Sequence, residues 1–357
     1  MPTLAVAAQL KDKLPDSDLL YVGSRMPADR QLVETAGLVF QPITTGKLRR
    51  YWSWKNFIDG FKFLTGLTQA KRIVRDFQPD VVFAKGGYVA LPVVLAAHQQ
   101  KIPVVIHESD SRLGLANRLA IPSATKVAVA FPIEEYFKCQ PGLGKYRAKF
   151  IYTGLPLPDS LMIGEDKSLF ANSKPTILVT GGSQGARAIN QAVWNGLPEL
   201  LAKYNVVHQV GTGGVAEADQ RRQALPAGLD ASYLPFDFDA EFYQRALRSA
   251  DLVVARAGSM VFELQALGKP AILIPLPHSA NDHQHRNAKF LVEHQAAVAI
   301  NQRDLTADGL LAVIEQVMSD VKLRQELSDN LAELGKINLA ASRVLADLVI
   351  KIGRHEI

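Results

Sequence analysis

Cysteine is nearly absent from this chain: there is one, Cys139, among 357 residues. A single thiol closes no internal disulfide, so nothing in the sequence asks for an oxidising compartment. Long apolar runs are missing too, since none reaches the roughly 18 residues that cross a bilayer. The opening Met1-Pro2-Thr3-Leu4 lacks the basic head of a secretory signal and reads as helix. The chain is therefore expected in the cytoplasm, meeting a membrane only from its surface. No Cys/His cluster has zinc spacing and no long Lys/Arg tract occurs, which argues against a metal centre and against nucleic acid as a partner. Low-complexity segments are also absent. Hydrophobic residues make up 48% and charged residues 21%, an ordinary globular balance. The net charge of +5 suits an anionic partner without choosing among nucleotide, diphosphate and lipid headgroup.

What is present is a series of short β-branched runs separated by amphipathic stretches. Runs at 19–22, 81–84, 104–107, 126–130, Thr176–Thr180, 251–255 and 271–275 are apolar throughout. Strands covered on both faces read this way, and helices between them imply parallel βαβ units. The length accommodates two domains. The series runs twice, with a Pro-punctuated stretch between. The reading is an α/β chain: a Rossmann-like domain at 1–154, a linker at 155–175, a second such domain at 176–338, and a terminal helix at 339–357 that packs back on the first. Open α/β sheets bind ligands at the carboxyl ends of their strands, so two such domains are expected to present their loops to one cleft.

Five loops carry candidate chemistry. Thr176–Thr180 runs into Gly181-Gly182-Ser183-Gln184-Gly185 and then a helix, a pattern that brings backbone N–H groups to an anion, or simply a strand-to-helix turn that needs glycine. Lys85-Gly86-Gly87-Tyr88 repeats the arrangement after the strand at 81–84, with a phenol to offer; a tight turn with a packed Tyr fits equally. His107-Glu108-Ser109-Asp110 ends another apolar strand. His107 or Glu108 could serve as a general base, or remain hydrogen-bonded structure, and Asp110 could cap the helix that follows. Arg256-Ala257-Gly258-Ser259-Met260 opens a helix able to face a diphosphate. Glu263, one turn in, could accept from two vicinal ribose hydroxyls or sit as a solvated carboxylate. The segment 278–288 gathers imidazoles and amides, with Gln284 and Asn287 on one helical face. Amides suit the hydroxyls and acetamide of a sugar, while the His spacing matches no metal site.

A sixth segment, Lys47 to Leu64, interleaves basic and aromatic residues. Trp52, Trp54, Phe57 and Phe61 lie among Lys and Arg, a composition that suits an anionic membrane surface; a helix with its aromatics packed inward is the alternative.

Together these segments resemble the MurG family over nearly the whole chain. The likeness rests on Gly-Gly-Tyr at 86–88, His-Glu-Ser-Asp at 107–110 with Gly-Leu-Ala-Asn at 114–117, Gly-Gly-Ser-Gln-Gly-Ala-Arg at 181–187, Arg-Ala-Gly at 256–258, and His-Gln at 283–284 followed by Asn287-Ala288. It implies a GT-B fold and an inverting transfer of N-acetylglucosamine from UDP-N-acetylglucosamine to the lipid-linked acceptor, undecaprenyl-pyrophosphoryl-MurNAc-pentapeptide. No cofactor and no obligatory metal are implied. By likeness the second domain would bind the donor through Gly182, Ser183, Gln184, Gly258, Ser259, Met260, Glu263 and Gln284. Gly86, Gly87, Tyr88 and Asp110 would face the acceptor.

Three departures from the family pattern stand out. Members open with a strand and a Gly-Gly-x-Gly-Gly-His loop just before a Pro-x-Leu-Ala helix. This chain begins inside that motif, so its first sheet is expected to lack a strand; a start codon assigned too far downstream is the preferred reading. Pro158 stands where members often carry Arg after the Gly-x-Pro. The spacing from Arg256 to Glu263 is one residue short. Other readings are a UDP-sugar epimerase of the same fold, or a nucleotide-sugar-binding protein without catalysis. A dinucleotide oxidoreductase would want Gly-x-Gly-x-x-Gly, which Gly181–Gly185 does not provide.

Overall fold

The structure, a computed structural model, describes residues 2–46, 55–164, 168–182 and 185–356, with the side chains of 28, 55–58 and 280 left aside. Two compact units emerge: Met1–Pro158 together with Ile337–Ile357, and Asp159–Lys336.

In the first unit, strands β1 (Leu20–Gly23) and β2 (Val39–Pro42) form one parallel pair. Strands β3 (Val82–Ala84), β4 (Val104–Glu108), β5 (Lys126–Val129) and β6 (Phe150–Tyr152) form a separate parallel sheet in that order. β4 is buried along its whole length: Val104, Val105 and Ile106 read as a strand covered on both faces, and the polar His107 and Glu108 at its end are buried with them. β1 and β3 are as apolar yet only half-buried. Among the described residues, β1 pairs only with β2 and β3 only with β4, so each keeps one ladder edge open. Both back onto the helix Gly87–Gln99, and Val22 and Val82 join the same cluster around Ile43, Val74 and Val93. Among the described residues the strands of this unit thus form two separate pieces.

The opening helix, Pro2–Lys13, buries Val6 against Leu345, Leu348, Val349 and Ile352 of the terminal helix, above β4 and β5. Leu10, four residues on, shares that face. Residues 155–157, expected in a linker, are instead buried in this unit: Leu155 is 2% exposed. Asn338 Oδ1 accepts from Leu155 N at 2.9 Å, and Ser342 Oγ donates to the Leu157 carbonyl. Gly154 makes the approach possible. Its φ is +74°, and a Cβ there would lie 2.6 Å from Asn338 Oδ1.

In the second unit, β7 (Thr176–Thr180), β8 (Asn205–Gln209), β9 (Tyr233–Phe236), β10 (Leu252–Ala255), β11 (Ala271–Leu273) and β12 (Val298–Ala299) form one parallel sheet in the order β12-β11-β10-β7-β8-β9. The chain leaves β7 in one direction for β8 and β9 and in the other for β10 to β12. The reversal of direction lies at β7, where such sheets bind ligands. Ile177, Val179, Val206, Val254 and Ile272 build a continuous core with Ile189, Val193 and Leu201 of the covering helices.

Candidate active site

In the first unit two loops lie at the carboxyl ends of β3 and β4. The β3 loop turns through Gly86 (φ +87°) and Gly87 (φ +81°), conformations that favour glycine. A Cβ on Gly86 would come within 2.6 Å of the Asn117 amide, so the two loops touch backbone to side chain. Tyr88 lies in the first turn of the following helix and is half-buried. Lys85 is held in by a hydrogen bond from Nζ to Ser109 Oγ at 3.2 Å. Burial pushes its pKa down, and the carboxylates of Glu108 and Asp110 oppose that shift.

The β4 loop is organised around Glu108. One carboxylate oxygen accepts from Ser109 N and Asp110 N; the other accepts from Gly114 N and Asn117 Nδ2, all at 2.9–3.1 Å. At 6% exposure the carboxylate is committed to these four donors. Burial raises its pKa, as does the Asp110 charge, while the donors pull it down. His107 is fully buried, and its Nε2 donates to the Gly154 carbonyl at 3.0 Å. Burial is the main reason its pKa falls to about 3, opposed by the Gly154 bond and helped by the Lys85 charge. Neither group is open to a substrate hydroxyl. The sequence-based expectation of a general base at His107 or Glu108 is corrected on this ground: both hold the loop together. Asp110 is no helix cap either. The next helix, Leu115–Ala120, is preceded by Gly114, whose N–H is taken by Glu108.

In the second unit the β7 loop turns through Gly182 (φ +81°) and Gly185 (φ +72°). A Cβ on Gly181 would strike Ala186 N at 2.2 Å, and one on Gly185 the Val210 carbonyl at 2.3 Å, so both are required by close backbone packing. Among the described residues nothing lies within 4 Å of where a Gly182 Cβ would be. Ser183 and Gln184 lie outside the described residues, as do Trp52 and Trp54 and the side chain of Phe57.

The β10 and β11 loops come together. A Cβ on Gly258 would face Gln284 Nε2 at 3.9 Å, although the two are far apart in sequence. Gln284 Oε1 accepts from Leu276 N at 2.9 Å, and its backbone N–H donates to Ser279 Oγ. This holds the amide with Nε2 towards Gly258. Asn287, read with Gln284 as a sugar-facing amide, is instead fully buried and donates to the Ala257 carbonyl at 3.0 Å. It ties the two loops together from beneath. Arg256 does the same from the side, donating to the Ile274 carbonyl and to Gln302 Oε1. His278, Asn281 and Asp282 all have φ near +58° (58°, 59° and 57°), a concentration of unfavourable backbone that surrounding contacts must hold in place. Ser259 is exposed and Met260 half-buried at the start of the helix Met260–Leu267. Glu263, in its first turn, is not a solvated carboxylate: its Oε2 accepts from Tyr243 Oη at 2.6 Å.

Phe61 is 73% exposed and Leu64 59% exposed on the helix Lys55–Phe77, beside Lys62. Lys85, Asn117 and Tyr243 carry much of this geometry and were not singled out from sequence. Asn117 sits in the Gly-Leu-Ala-Asn motif, which was visible, but its partners were not.

Two Rossmann-like parallel-sheet units with glycine loops at their strand ends are the units of a GT-B fold. A model of the glycosyltransferase family 28 N-terminal domain matches residues 1–129, and one of its C-terminal domain matches 176–343. A UDP-N-acetylglucosamine--N-acetylmuramyl-(pentapeptide) pyrophosphoryl-undecaprenol N-acetylglucosamine transferase of Lachnospira eligens is 39% identical over 326 residues, 89% of this chain and 87% of the relative. One of the same description from Clostridium botulinum is 39% identical over 317 residues, 87% and 85% of the two chains. The crystal structure of Acinetobacter baumannii MurG matches with a TM-score of 0.71 at 27% identity, covering 98% of this chain and 95% of that one. The chain belongs to the MurG family. A UDP-GlcNAc 2-epimerase from Neisseria meningitidis shares the fold (TM-score 0.70, 98% and 96% covered) at 14% identity.

Proposed function

We propose that this protein transfers N-acetylglucosamine from UDP-N-acetylglucosamine to undecaprenyl-pyrophosphoryl-MurNAc-pentapeptide, a step of peptidoglycan synthesis, at the cytoplasmic face of the cell membrane. The observation that carries this is the 39% identity with transferases of that description over 89% of the chain. The donor-side geometry fits it. The second unit binds UDP-N-acetylglucosamine, with Gly182, Ser183 and Gln184 and the Gly258-Ser259-Met260 turn on its diphosphate side. Gln284 donates its amide to the sugar, and Glu263 accepts from the ribose. In the first unit Gly86, Gly87, Tyr88 and Asp110 receive the acceptor, with Lys85 supplying positive charge beside them.

The reaction is a single displacement. The acceptor's C4 hydroxyl oxygen forms a bond to the anomeric carbon, the bond from that carbon to the diphosphate oxygen breaks, and UDP leaves with the electron pair. Backbone N–H groups and helix dipoles offset the charge that develops on the leaving diphosphate. The hydroxyl proton goes to a group other than His107 or Glu108. Among the described residues no helix is long and apolar enough to cross a membrane. Attachment is instead through the basic and aromatic segment with Trp52, Trp54, Phe57 and Phe61, which meets anionic lipid.

The test is transfer of radiolabel from UDP-N-acetylglucosamine to a lipid-linked muramyl-pentapeptide acceptor. Gln284→Ala should raise the KM for the donor while binding of UDP alone changes little. Absence of transfer to the lipid acceptor, with turnover of the nucleotide sugar to its 2-epimer instead, would reject this assignment.

A further inference from the structure

We infer that Tyr243 is a positioning residue for the donor nucleotide, fixing Glu263 so that one carboxylate oxygen remains free for the ribose hydroxyls. The inference rests on the reading that Glu263 meets the ribose. Tyr243 lies on the helix Ala240–Ser249, which follows β9; Glu263 lies on the helix that follows β10. A carboxylate only accepts, so the phenol donates, and the 2.6 Å Oη···Oε2 separation is that of a charge-assisted bond. The phenol helix is itself held. Asp239 caps it by accepting from Phe242 N at 2.8 Å, and the Phe242 ring meets Phe236 edge-on at 4.7 Å. Glu263 has three rotatable side-chain bonds, and the Tyr243 bond removes that freedom before the nucleotide arrives. A vicinal diol presents two donors, which the remaining oxygen's lone pairs can accept. Burial raises the pKa of Glu263, and the Tyr243 bond works against that shift.

Tyr243→Phe keeps the ring and removes only the donor. It should raise the KM for UDP-N-acetylglucosamine by on the order of tenfold, with kcat within about twofold, the split expected when ground-state and transition-state binding are lost equally. With a donor carrying 2′-deoxyuridine, the wild type should already be weakened and Tyr243→Phe should add little. A purely structural role for Tyr243 would penalise both donors alike, and that result overturns the inference. Replacing Tyr243 with 4-aminophenylalanine, which returns an N–H donor, should recover part of the loss; no recovery also counts against it. Glu263→Ala separates the two levels. If it leaves the donor KM unchanged, the ribose reading itself is wrong. If it raises the KM while Tyr243→Phe does not, only the role of Tyr243 falls.

Discussion

Acidification should weaken the second unit through one buried histidine. His208 is fully buried on β8, and its neighbours dictate its tautomer. Trp194 Nε1 donates to Tyr233 Oη at 2.9 Å; Tyr233 Oη donates to His208 Nδ1 at 3.0 Å; His208 Nε2 donates to Asn190 Oδ1 at 3.1 Å; and Asn190 Nδ2 donates to the Val210 carbonyl at 2.9 Å. Every donor points the same way along the chain. A second proton on the imidazole would have to sit on Nδ1, facing a phenol that already accepts from Trp194, and the phenol hydrogen would lose its acceptor. Burial accordingly drives the His208 pKa to about 3. The unfolded chain takes up a proton below about 6.5 while the folded unit does not, so stability is full above that pH and is lost as pH falls towards 3. The loss amounts to about 2 kcal/mol at pH 5 from this residue alone.

The assay is urea unfolding at pH 7 and pH 5. Trp52→Phe/Trp54→Phe leaves Trp194 as the only tryptophan, so its fluorescence reports the second unit. His208→Gln, which cannot titrate, should be less stable at pH 7 but should lose about 2 kcal/mol less on acidification than the parent. Equal losses in parent and variant would refute the network as the source of the acid sensitivity.

Two other outcomes are expected. Glu108→Ala leaves three half-buried backbone N–H groups of the β4 loop without their acceptor and costs Asn117 one of its two, and should destabilise the first unit by about 2–4 kcal/mol, with a raised KM for the lipid acceptor, measured by urea titration and by transfer kinetics. Phe61→Ser/Leu64→Ser removes two exposed apolar side chains worth about 2–3 kcal/mol together at an interface, so co-sedimentation with anionic vesicles should weaken by about fiftyfold while turnover of a water-soluble acceptor is retained.

The sequence alone determined the two runs of parallel strands, because a strand shielded on both faces is built mainly from apolar side chains: β4, β7 and β10 are legible by their Val, Ile and Leu runs. It also determined the glycine turns, because Gly86, Gly182 and Gly185 adopt φ values that other residues seldom take. β1 is legible as the run at 19–22, whereas β2 and the end strand β12 have too few buried positions to announce themselves. Only the tertiary structure decided which polar residues are available for chemistry. His107 and Glu108 look like a catalytic pair at a strand end, yet both are buried, His107 bonded through Nε2 to the Gly154 carbonyl and Glu108 to four donors of the 109–117 segment. Gln284 meets Gly258, and Tyr243 meets Glu263, through contacts between helices that follow different strands. Such pairings depend on how sheet register and helix packing bring distant segments together, and local pattern carries no record of that. A side chain's chemistry is written in its type, but whether it faces a substrate is set by what folds over it.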